Sequence, residues 1–220
     1  FVVAPDSILT TWRDSTFLEA SSSMRLLATE VIKISNDLML LNSGPKTAIA
    51  EIILPEVEPG SSIMPGKINP SVPECAIMAC YQVLGNDFAV AEAAKSGQME
   101  LNVMTPLIGF DLLWSAKIMT NSLNMLNELC IRGMTVDTAR SQLLLEKGLS
   151  LVTALNPYIG YEAAAEVVKI ALKEDKPLTT VILENKIINE QDLMQVLDAK
   201  AMTEPGLVDK GLQQKIQGSE

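Results

Sequence analysis

Apolar positions recur at three- and four-residue steps through most of the chain, the spacing of helices packed on one face or more. Phe17, Leu18, Met24, Leu27, Val31, Ile34, Leu38 and Leu41 follow this rhythm and predict a helix over 15–42. Asp14 or Ser15 is its expected cap, and Ser43-Gly44-Pro45 its stop. At 1.5 Å per residue it is roughly 40 Å long, the scale of a bundle or an oligomer core. A second helix is expected from Pro70 to about Lys95, with Asn69 as N-cap and Pro70 at N1. Its many alanines let neighbouring helices approach closely. A third covers about 105–131, closed by Arg132-Gly133, and is apolar on nearly every face, as a helix at the centre of something large would be. A fourth is expected from Val136 to Leu155.

Asn156-Pro157 then reads as a break, and shorter helices follow at 161–174, 177–184 and 190–197. Asn189 and Asp192 form the pattern of a capping box. The expected fold is all-α: a long-helix bundle over 1–156, a small helical domain over 157–206 and a flexible polar tail over 207–220.

Residues 46–70 interrupt this pattern. Pro55, Pro59, Pro65 and Pro70, with Gly60 and Gly66, predict a long loop free of regular structure. Connections of that length are usually functional or disordered, and Ile52, Ile53 and Leu54 supply anchors that argue against disorder. Gly60 reads as a hinge before the hydroxyls of Ser61 and Ser62. If the tip is extended, Lys67 and Asn69 share a side, since alternate residues do. One cation and one amide make a carboxylate clamp. Glu74 falls in the first turn of the next helix, where a carboxylate is favoured.

Composition narrows the chemistry. The formal charge is −10 with no basic cluster, which argues against nucleic-acid partners. No run is long and apolar enough for a membrane span. The chain has no histidine, which excludes His-based triads, dyads and zinc sites within it. Cys75, Cys80 and Cys130 form no CxxC pair and read as reduced, buried thiols of a cytoplasmic protein. The start at Phe1, without Met, reads as a cut through a longer protein.

GSSIMPGKINP at 60–70 matches the pattern GSSxMPxKxNP of the fumarase/aspartase superfamily at every defined position. NDLMLLNSGP at 36–45, GQMELNVMTP at 97–106 and LVTALNPYIGYEAA at 151–164 also resemble that family. The last resembles the start of the small C-terminal domain of fumarases and aspartases, which argininosuccinate and adenylosuccinate lyases lack. The resemblance implies a β-elimination yielding fumarate in a homotetramer, with no cofactor or metal. It implies Ser61 as the base, Lys67 and Asn69 on the substrate carboxylate, and Gly60, Ser62 and Glu74 in support. Asn102 would lie near the active-site region. Gln98 and Met104 resemble aspartases more than fumarases, so the implied substrate is L-aspartate, with malate as the alternative. A non-catalytic oligomerisation module is the competing class.

Lys46, Ala48 and Ala50 depart from the Arg, Gly and Gly usual in relatives, and Tyr158 stands where His is common. In the family the active site draws on three sequence regions from three subunits. Only the last resembles this chain, so the 220 residues alone are expected to be inactive.

Overall fold

The computed structural model describes residues 2–203 and 208–218. It consists of two compact units, one through Asp137 and one from Thr138. In the first, a short α1 (Ser7–Trp12) leads into α2 (Ser15–Leu41), α3 (Ser71–Ala94) and α4 (Thr105–Leu129). β1 (Ile52–Ile53) pairs antiparallel with β2 (Thr135–Val136), Ile52 facing Val136 and Ile53 facing Thr135. The second unit contains α5 (Thr138–Lys147), α6 (Val152–Ile159), α7 (Tyr161–Glu174), α8 (Leu178–Glu184), α9 (Glu190–Val196), α10 (Ala199–Met202) and α11 (Lys210–Gln217). The all-α expectation holds, apart from that two-residue ladder.

α3 packs against both α2 and α4. Ala28, Val31 and Leu38 of α2 meet Val72, Ala76, Cys80 and Val83 of α3 and Met119 and Leu126 of α4 in one buried cluster. Small side chains at Ala28 and Ala76 let the axes approach closely. A polar layer crosses this core. Ser21 donates to Asp87 at 2.7 Å, Arg25 pairs with the same carboxylate, and Asn86 donates to Ser115 at 2.9 Å. Two other buried polar groups of these helices are less well served. The buried Ser35 hydroxyl has no hydrogen-bond partner among the described residues. The Asp111 carboxyl is also buried, and burial raises its pKa above the usual carboxylate range.

The same helices keep large apolar side chains in solvent. Phe88 is 69% exposed, Phe110 64% and Leu113 76%, with Leu26 and Met78 similarly open. The sequence placed apolar residues on nearly every face of the third helix, and one chain covers only part of them.

The expectations for the second half need correction. The unit boundary falls at 137/138, not 156/157, because Leu145, Leu151 and Leu155 pack into the second unit's core with Val167, Val181, Ile182 and Leu193. The helix expected over 136–155 is broken at Gly148, which is extended (ψ 130°). Pro157 lies inside α6 and does not break it; the stop is Gly160, at φ +80°, where a side chain is disfavoured. The boundary at 206/207 lies outside the described residues. Beyond it, 210–217 form α11 with Leu212 buried, where a flexible tail was expected. Cys80 and Cys130 are buried, and burial pushes both thiols up; Cys75 is exposed, against expectation.

Ser35→Ala removes an unsatisfied buried hydroxyl and is expected to stabilise the protein by about 1 kcal/mol, read from denaturant unfolding; a loss would show that the hydroxyl has a partner in solution. The folded state holds Asp111's proton more tightly than the unfolded chain does. Its ionised form therefore destabilises at neutral pH, and that penalty fades as pH falls through the raised pKa. Asp111→Asn is expected to raise the unfolding midpoint at pH 7, with the gain shrinking toward the ordinary carboxylate pKa of about 4. A gain independent of pH would contradict this.

Candidate active-site loop

The loop stands on a fixed base. Leu54 N–H donates to Asn42 Oδ1 at 3.0 Å at the end of α2, and Asp137 N–H donates to Glu51 O at 2.9 Å. Gly133 packs against Pro55 so closely that a Cβ there would lie 2.6 Å from the proline ring. Ala50, where relatives usually carry Gly, is held at φ +52°, a left-handed conformation that costs a non-glycine residue about 1 kcal/mol.

The tip closes on itself at a neck. Gly60 N–H donates to Lys67 O at 2.9 Å, and Asn69 Nδ2 donates to Gly60 O at 2.8 Å. A Cβ on Gly60 would sit 2.3 Å from Lys67 O. Gly60 is therefore a point of close backbone approach, not the open hinge expected. Gly66 takes φ +77°, which lets the chain turn back after Pro65.

Inside this ring, Ser61 Oγ accepts from Ile63 N–H at 3.1 Å and Met64 N–H at 3.2 Å. Two backbone donors aimed at one hydroxyl oxygen favour negative charge on it.

Gly60, Ser61, Lys67 and Asn69 thus come together in one closed turn. Ser62 and Lys67 are exposed, and Glu74 is exposed on the first turn of α3. The tip bends and turns over 62–66, and Asn69 gives one amide N–H to Gly60 O. For the same reason Asn69 is not the N-cap of α3; Pro70 holds that position without a side-chain cap. The Asn69 amide keeps a second N–H for a ligand.

Asn102 plays a structural part. Its amide donates to Asp14 Oδ2 and to Ala93 O, its Oδ1 accepts from Met104 N–H, and it is buried. Sequence reasoning missed the Asp14 contact, which spans 88 positions and leaves no local pattern. Asp14 was expected to cap α2 and does not, because its carboxylate turns to Asn102. Among the described residues no three Cys, Asp or Glu side chains converge as a metal site would require.

Comparison with known proteins bears on this loop. The family described as Lyase matches residues 2–85, and that described as Fumarase C C-terminus matches 151–204. The chain is 44% identical over 207 residues to aspartate ammonia-lyase of Pseudomonas fluorescens, covering 94% of this chain and 43% of the relative. The chain belongs to the fumarase/aspartase superfamily. It is 45% identical over 190 residues to class II fumarate hydratase of Xylella fastidiosa, covering 86% of this chain and 40% of that one. Its fold matches the class II fumarase of Schistosoma mansoni with a TM-score of 0.86 at 35% identity, covering 94% of this chain and 43% of that one. The chain spans less than half the length of these superfamily relatives.

Gly60→Ala is expected to open the neck. Backbone amides of 60–67 should exchange with deuterium at least tenfold faster, while those of α3 stay protected; unchanged exchange would mean the loop does not depend on this close approach.

Proposed function

We propose that this chain is the C-terminal part of an aspartate ammonia-lyase, which eliminates ammonia reversibly from L-aspartate to give fumarate. Ser61 is the general base. The observation that carries this reading is the pair of N–H groups on Ser61 Oγ. A serine alcohol is a poor base, and a base for a carbon acid at neutral pH requires its alkoxide to be stabilised. The Ile63 and Met64 amides are placed to do that.

The chemistry follows from the charges. The Ser61 alkoxide takes a proton from the carbon next to the substrate's distal carboxylate. The electron pair moves into that carboxylate, giving an intermediate with two negative charges on one group. Lys67 and the remaining Asn69 N–H bind this carboxylate and hold it more strongly as charge accumulates. Expulsion of the amine from the neighbouring carbon returns the pair and forms the double bond. Ser62, Gly60 and Glu74 support the loop and its surroundings.

Two features support an assembled enzyme. The apolar side chains left in solvent on α2, α3 and α4 suit a homotetramer joined through its long helices. The superfamily resemblance supports a reading in which the remaining substrate-binding groups come from other sequence regions, and on that reading the 220 residues alone are inactive. A cytoplasmic location accords with the reduced thiols. Malate and fumarate are the second reading, favoured by the 45% identity to a class II fumarate hydratase.

Ser61→Ala in the full-length protein is expected to lower kcat for aspartate by on the order of 10²- to 10⁴-fold, measured as fumarate release. Turnover that survives this change would remove Ser61 as the base. Malate turnover in place of aspartate turnover would move the assignment to fumarate hydratase, and fumarate release by the 220-residue chain would disprove its inactivity alone.

A further inference from the structure

Residues 210–217, expected to be part of a flexible tail, are docked through specific contacts. On α11, Lys215 Nζ lies 2.6 Å from Asp192 Oδ1. The Asp192 side chain is 4% exposed and the Lys215 side chain 58%. Asp192 is also held by Asn189, whose amide donates to Oδ2 while its own Oδ1 caps the Asp192 N–H. The pair therefore joins α11 to a carboxylate already fixed at the start of α9. A second attachment is made to α6. Gln213 Nε2 and Gln217 Nε2 both donate to Pro157 O, at 2.7 and 3.3 Å. That carbonyl lies in the last turn of α6, where carbonyls lack partners within the helix. Leu212, buried, and Ile216, partly buried, complete the contact.

Two open clefts lie beside these points. A cavity of about 660 Å³ is walled by Ile216, Gln217, Asp192 and Tyr158. A second, of about 510 Å³, is walled by Leu212, Pro157, Val196 and Tyr158. Tyr158 is buried and borders both. An eight-residue helix is not stable on its own in water. α11 is thus helical only while docked, and among the described residues its contacts include the Lys215–Asp192 pair, the shared Pro157 carbonyl and the side chains of Leu212 and Ile216.

We propose that α11 is a strap over Tyr158 that opens as a unit of its own while α6 to α9 stay folded, with the Asp192–Lys215 pair as its catch. Opening uncovers Tyr158, which borders both cavities. It leaves the Pro157 carbonyl and the Asp192 carboxylate as exposed acceptors. Opening withdraws Leu212 from the cluster it shares with Leu155, Val167, Val181 and Ile182, and the proposal requires that the rest of this core holds without it.

Hydrogen exchange on the intact protein at pH 7 tests this. Amides of α11 are expected to exchange at least tenfold faster than those at the buried positions of α7, Ala164, Val167 and Ala171. Lys215→Gln is expected to speed α11 a further tenfold or more and leave α7 unchanged. Gln213→Ala, which removes a Pro157 contact and no charge, is expected to act in the same direction and serves if Lys215→Gln fails to fold. Equal rates in α11 and α7, or substitutions that change both together, would make α11 an inseparable part of the unit and overturn the proposal. So would a folded Lys215→Gln protein with unchanged α11 exchange.

Discussion

The first unit rests on the close approach of α3 to both α2 and α4. Ala76 has no exposed surface and Val83 and Val90 almost none. Small and β-branched side chains along α3 set the spacing, and long aliphatic ones on the two neighbours fill what remains. The loop depends on this contact. It leaves the end of α2 through the Asn42–Leu54 hydrogen bond and re-enters at the first turn of α3, where Val72 and Pro73 are buried. A shift of α3 along its axis would move Pro70, and with it the Asn69 and Lys67 side of the neck, relative to the Leu54 side. The position of Ser61 is thus set by helix packing, not by the loop alone.

That packing also explains the surplus of apolar surface. A helix between two others in one chain needs an apolar stripe on two sides; α3 and α4 carry more. The side chains the chain leaves open, Phe88, Phe110 and Leu113 among them, lie on the same helices that carry the loop's supports. Burial of that surface in an assembly and precision at the loop are therefore linked, because whatever covers these faces also restrains the helix from which Glu74 projects.

Much of this was legible in the chain. α7 lies at 161–174 as its apolar spacing predicts, and α2 ends one residue before its expected limit. Periodicity reports which face is buried, and long regular helices carry it strongly. The loop was legible for a different reason: Pro and Gly forbid helix there, and the string GSSIMPGKINP is specific. What could not be read is pairing across distance. Nothing near Asp14 announces Asn102, and nothing near Pro157 announces Gln213. Two misreadings were local. Asn156-Pro157 reads as a stop in the sequence, although Gly160, with its positive φ, is the residue that turns the chain. Gly148 breaks the helix, but apolar residues continue on both sides and hide the break in the periodicity.

The reading of Gly60 changes what the loop's glycines mean. Freedom of the backbone and absence of a side chain are separate properties, and the two glycines divide them. Gly66 supplies the positive φ that returns the chain. Gly60 supplies space, because Lys67 O occupies the volume a Cβ would need. The consequence for chemistry is geometric. With the neck closed, the Ile63 and Met64 N–H groups converge on Ser61 Oγ. Lys67 stays exposed, anchored through its carbonyl and not through its side chain, and its ammonium remains available to an anion. Lys67 therefore does two separate things within a few atoms: its backbone carbonyl closes the turn around Ser61, and its side chain stays in solvent.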